Sequence, residues 1–130
     1  MSHDLTTANR YAEALAVAKE KGCVIVAPKP NELFIDIDEE EQLDVFKGQI
    51  KRVIEVFGKR VSWNQRSSPS GLPGRYHIVV TLPVEVTAVE RIALQACLGS
   101  DLVREILSWA RMRLGHDLPT CFFEKDPGGG

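Results

Sequence analysis

Asp36 and Asp38 stand two residues apart in the run Leu33-Phe34-Ile35-Asp36-Ile37-Asp38, a spacing suited to holding a divalent cation. In an extended chain, side chains alternate between faces. Phe34, Asp36 and Asp38 then share one face, and Leu33, Ile35 and Ile37 the other. Two carboxylates on one face come within reach of a common hard cation. Mg²⁺ or Mn²⁺ held in this way keeps coordination positions for water and phosphate oxygens. A structural role competes for Asp38: in Asp38-Glu39-Glu40-Glu41 it stands three residues before a Glu, the pattern of a helix N-cap.

Further polar side chains fall on the same face when later segments are read in the same way. Arg75 to Leu82 alternates, sending Tyr76, Ile78, Val80 and Leu82 to the core and leaving His77, Val79 and Thr81 on the other face. In Arg60 to Arg66, Val61 and Trp63 face inward while Ser62, Asn64 and Arg66 face away. Between these strands the dense turn signal Ser67-Ser68-Pro69-Ser70-Gly71-Leu72-Pro73-Gly74 places Gly71 and Gly74 where backbone N–H groups could cradle phosphate. Carboxylates on a metal, with His77 and Arg66 on phosphate oxygens, would suit a metal-bound triphosphate. Phe34 either stacks a base or is covered by the N-terminal segment.

The elements that must position these residues are readable from periodicity and punctuation. Thr7 to Lys21 predicts a helix stopped by Gly22, and Cys23 to Ala27 a short strand ended by Pro28. Glu39 to Phe57 predicts a long helix with Leu43, Phe46, Ile50, Val53, Ile54 and Phe57 on one stripe. Thr87-Ala88-Val89-Glu90 is a capping box opening another helix. Gly99-Ser100-Asp101 breaks that helix and recaps a further one through about Arg113. Cys121-Phe122-Phe123 is a last short strand.

From the carboxylate strand onward the order is strand, helix, strand, strand, helix pair, strand. It predicts an α+β fold: a ferredoxin-like or RNA-recognition-motif-like antiparallel sheet with helices on one face, plus an N-terminal helix-strand extension. The first and third of these strands are expected at the centre, and the second face is expected to be open. Residues 1–125 are expected to form a single domain and 126–130 a flexible C-terminal tail.

Composition sets outer limits. The 130 residues have 44% hydrophobic and 26% charged side chains, ordinary for a globular domain with a real core. A net charge of −2 argues against tight non-specific binding to bulk DNA. Cys23, Cys97 and Cys121 form no CxxC pair and fit small core residues in a reducing cytoplasm, not disulfides or zinc. No apolar run is long enough for a membrane span, so a cytoplasmic location without membrane contact is expected.

The Asp36-Ile37-Asp38 strand resembles the hydrophobic–Asp–hydrophobic–Asp motif of the archaeo-eukaryotic primase (primase-polymerase) superfamily. The segment Ser70 to Ile78 resembles that superfamily's second motif, a Ser-Gly…Gly…His stretch opening a strand. The resemblance spans roughly residues 31 to 82. It implies a palm on an RNA-recognition-motif-like sheet, with paired Asp residues binding catalytic metal and the His contacting nucleotide phosphates. Carried over, Asp36, Asp38 and His77 would be catalytic; Arg66, Ser70, Gly71, Gly74, Arg75, His77 and Phe34 would surround the nucleotide. Family enzymes carry a third metal-binding Asp on a later strand. Here the candidates are Asp117 and Glu124. Asp117 is preferred because the start of a last strand paired with the Asp36 strand would lie nearer the carboxylates. The chain is also far smaller than family enzymes, so it would be a minimal or degenerate palm core.

Three functions follow as expectations. The first is a primase-polymerase-like nucleotidyltransferase binding a nucleoside triphosphate with Mg²⁺ or Mn²⁺ and acting on single-stranded or primed nucleic acid. The second is a non-catalytic single-strand-binding module of RNA-recognition-motif type, for which the acidic pair is awkward. The third is a small regulatory protein that binds a protein partner.

Overall fold

The structure, a computed structural model, describes residues 16, 19, 20, 22–69, 71–115 and 119–125. Most of the expected N-terminal helix, together with Ser70, His116, Asp117 and the tail 126–130, lies outside the described residues.

Alternation dictates the main sheet. Strands β2 (Glu32–Ile37), β3 (Ser62–Ser67) and β4 (Tyr76–Thr81) form an antiparallel sheet in the order β2-β4-β3. The inward set Leu33, Ile35, Ile37, Val61, Ile78, Val80 and Leu82 packs as one buried cluster with Leu43, Phe46 and Ile50 of helix α1 (Glu40–Phe57). At about 25 cal/mol per Å² of apolar surface, this cluster is the main favourable term in folding. Trp63 of β3 adds an edge-on contact to Phe46, ring centres 5.0 Å apart.

The N-terminus of α1 corrects one expectation. Its cap is Glu39, not Asp38. The reciprocal partner is Gln42, whose Oε1 accepts from the N–H groups of Glu39 at 3.1 Å and Asp38 at 2.6 Å. The box therefore begins one residue later, and the Asp38 carboxylate is released from the capping role.

The second sheet face is not open, and this is the largest departure from the sequence-based expectation. Strand β1 (Cys23–Val26) pairs antiparallel with β5 (Phe122–Lys125) as a separate two-stranded ribbon. Phe122 of that ribbon is buried with Phe34 and Val79 of the sheet, and Val26 packs beside them. β5 thus does not lie beside the Asp36 strand, and β2 is an edge strand, not a central one.

What closes the β2 edge explains why. Helices α2 (Ala88–Cys97) and α3 (Leu102–Arg113) line it with polar groups that take the place of a fourth strand. The Phe34 N–H donates to Gln95 Oε1 at 2.7 Å, and the Asp36 N–H to Ser100 Oγ at 3.0 Å. The Asp101 N–H donates to the Asp36 carbonyl at 2.7 Å, while Arg104 and Arg91 donate to the carbonyls of Phe34 and Glu32 at 2.6 and 2.9 Å. Buried Glu105 ties the set together, accepting from Gln95 at 2.9 Å, from Ser100 at 2.7 Å, and from Arg104. A buried carboxylate is tolerated here because it is both paired and hydrogen-bonded.

The turn joining α2 to α3 has no room for a side chain. Gly99 has φ +87°, and a Cβ there would sit 2.8 Å from the Gln42 carbonyl oxygen. Gly99→Ala combines a left-handed backbone with a backbone clash. It is expected to lower stability by about 2 kcal/mol or more in urea unfolding, with the slope of the transition unchanged.

Candidate functional site

Register converts the sequence pattern into a row. Asp36 pairs with His77 across β2 and β4, and Arg66 pairs with His77 across β3 and β4, so the three side chains lie abreast on one face. The expectation that these residues share a face is met. The expectation that they stand in the open is not.

Phe122 explains the burial. Its ring lies parallel to Phe34 at 4.4 Å and parallel to His77 at 3.9 Å between centres. Two rings at these separations cannot share one face of a phenyl group without overlapping, so Phe122 is inserted between them. His77 is left 7% exposed and Phe34 2%. Phe34 therefore has no free face for a base; the covering residue is Phe122 of β5, with Val26 of the N-terminal strand beside it.

The imidazole sits between two carboxylates. Its Nδ1 is 3.3 Å from Glu124 Oε2, and its Nε2 is 3.9 Å from Asp36 Oδ1. Burial lowers the His77 pKa below the usual histidine value, while the Glu124 carboxylate opposes that shift. Glu124 is in turn paired with Arg66, Nη2 to Oε1 2.6 Å. Asp36 is pushed up from 3.8 to about 6, first by burial and then by the like charges of Asp38, Asp101 and Glu105, against the opposing pull of Arg104.

The loop after β3 forms the other half of the site. The Ser68 N–H donates to the Arg75 carbonyl at 3.0 Å, and the Gly71 N–H to the Ser68 carbonyl at 3.0 Å, closing the turn. Gly71 and Gly74 adopt φ of +70° and +76°, conformations that favour glycine. Arg66, Ser67, Ser68, Pro69, Gly71 and Glu124 line an open pocket of about 370 Å³. Gly74 faces Glu40 of α1 instead of this pocket, and Arg75 contributes its carbonyl to the turn.

One carboxylate was read from the sequence only as a cap. Asp101 does cap α3, accepting from the Arg104 N–H at 3.1 Å. It also lies beside Asp36, and its Oδ1 accepts from Gln42 Nε2 at 3.3 Å. The signal was the tight Gly99-Ser100-Asp101 corner. Of the two carboxylates considered for a third ligand, Glu124 is committed to Arg66 and His77, and Asp117 is outside the described residues. Among the described residues no three His, Cys, Asp or Glu side chains are grouped closely enough to hold a metal ion by themselves.

No protein-family model, curated protein or solved structure matches this chain.

The raised Asp36 pKa has a stability consequence whose sign is fixed. The folded state disfavours the charged carboxylate, so the cost is fully present above about pH 6 and is relieved as pH falls from there toward 3.8. Asp36→Asn is expected to be more stable than the parent at pH 8 by on the order of 2 kcal/mol, the gain disappearing near pH 4. Paired thermal melts across that range check it; a gain independent of pH would contradict the assignment.

Proposed function

We propose that this chain is a small palm of the primase-polymerase type that binds a metal–nucleoside triphosphate and acts on nucleic acid. The observation that carries the reading is the cross-strand row of Asp36, His77 and Arg66, flanked by Asp38 and by the serine- and glycine-bearing loop. The order β2-β4-β3, with α1 packed on one face, is compatible with the ferredoxin-like arrangement that such a palm would use.

The residues present suit a magnesium-type ion, which is commonly held by only one or two carboxylates and completed by phosphate oxygens and water. Asp36 and Asp38 would hold it. Like-charge crowding at Asp36 is the condition that a bound cation relieves. Such an ion supplies neutralisation of the phosphate charge. Arg66 donates to phosphate oxygens, and Ser67, Ser68, Pro69 and Gly71 line the space beside them. His77, fixed by ring stacking, donates from a constant position. The reaction would join a 3′-hydroxyl oxygen to the α-phosphorus and release pyrophosphate, with positioning as the main protein contribution.

A second reading, a module that docks on another protein, is favoured by one specific feature. Leu102, Val103, Ile106 and Trp109 stand on one side of α3 and are between 52% and 66% exposed. Among the described residues no helix is long and apolar enough to cross a membrane.

Titration of Mn²⁺, with and without a nucleoside triphosphate, into the parent and into Asp36→Asn/Asp38→Asn separates the readings. The palm predicts saturable binding that tightens with triphosphate and falls at least about tenfold in the double variant. Primer extension then follows. Absence of Mn²⁺ binding by the parent would overturn the palm and leave the docking module.

A further inference from the structure

The site's two nitrogen donors, Arg66 and His77, are already engaged by a carboxylate from the same chain. Glu124 places Oε1 2.6 Å from Arg66 Nη2 and Oε2 3.3 Å from His77 Nδ1, one oxygen on each. Its side chain is 14% exposed, whereas Arg66 is 51% exposed and reaches the pocket from the solvent side. Carboxylate and phosphate are the two anions that a guanidinium fork matches, so each can take the other's place.

The fit of Glu124 is incomplete. Its Oε1 is buried and accepts no well-aligned hydrogen bond, although the charge contact with Arg66 is short. A buried acceptor left in this way costs free energy that a better-shaped anion would recover. The strand carrying Glu124 is weakly anchored as well. Among the described residues β5 pairs only with β1, outside the main sheet, and a two-stranded ribbon is marginal without the packing beneath it. That packing comes from the Phe122 ring and from Arg104 Nη2, which donates to the Cys121 carbonyl at 3.4 Å.

We propose that Glu124 is a resident anion in the phosphate seat: a phosphate-bearing ligand binds by displacing the Glu124 carboxylate from Arg66 and His77. This rests on the reading of those two residues as phosphate contacts. It adds that the chain as folded holds the seat closed, so affinity for the ligand is reduced by the free energy of the internal pair. Phe122, two residues before Glu124, couples the displacement to the ribbon, because it fills the gap between Phe34 and His77.

The test uses the full chain and inorganic triphosphate as probe, without divalent metal, so that it does not depend on Asp36 and Asp38. Glu124→Gln removes the charge and keeps the shape; it is expected to bind triphosphate about tenfold more tightly than the parent. Adding Arg66→Ala to Glu124→Gln is expected to abolish the gain, and Glu124→Asp to bind no more tightly than the parent. Equal, weaker or undetectable binding by folded Glu124→Gln overturns the proposal, as does a gain that survives Arg66→Ala. The parent provides a check that needs no variant: saturation with triphosphate must move the ¹³C resonance of the Glu124 carboxylate, and a resonance that stays in place overturns displacement. A gain in Glu124→Gln without any Mn²⁺ binding by the parent keeps the phosphate seat and rejects the palm.

Discussion

The unpaired edge of β2 is the constraint around which this fold is arranged. A strand edge exposes N–H and C=O groups that must find partners, and here they find side chains instead of a neighbouring strand. Gln95, Ser100, Arg91 and Arg104, with the backbone of Asp101, take up the edge positions one after another. Glu105 holds several of these donors in register from within the protein. Once this edge is occupied, the last strand cannot join the sheet there, and it pairs with β1 on the other face.

That displacement creates the environment of the site. The ribbon brings Phe122 and Glu124 over a row of polar residues that would otherwise face water. Desolvation then acts in opposite directions on two neighbours in the row, raising the Asp36 pKa and lowering that of His77, so both are biased toward their neutral forms. Arg66 keeps its contact with solvent and is the member of the row that an incoming anion meets first. Access is therefore greatest at the β3 end of the row and least at its centre.

Much of this was legible in the sequence, and the omissions have physical causes. A period of two needs only extended backbone, so the faces of Asp36, His77 and Arg66 follow from residue order alone. The order β2-β4-β3 follows from the direct loop between β3 and β4 and from the long α1 crossover. What lies above the face does not follow, because β5 is four residues long and carries no usable period. Phe122 has no local signature that separates a core residue from one inserted between two rings. Asp101 was missed for a different reason: its capping role is complete within its own helix, and its proximity to Asp36 arises only when the Gly99 corner docks on α1. The one-residue shift of the α1 cap turned on Gln42, which competes with Glu41 for the same reciprocal bond.

The sealing of β2 also sets a direction for the sheet. Its opposite margin, β3, pairs with no further strand among the described residues, and all six of its residues are exposed. Side chains block addition on one margin, while on the other no strand among the described residues takes up the backbone groups. Extension of the sheet by an incoming strand is consequently one-sided, and such a strand would run alongside Asn64 and Arg66, next to the mouth of the pocket.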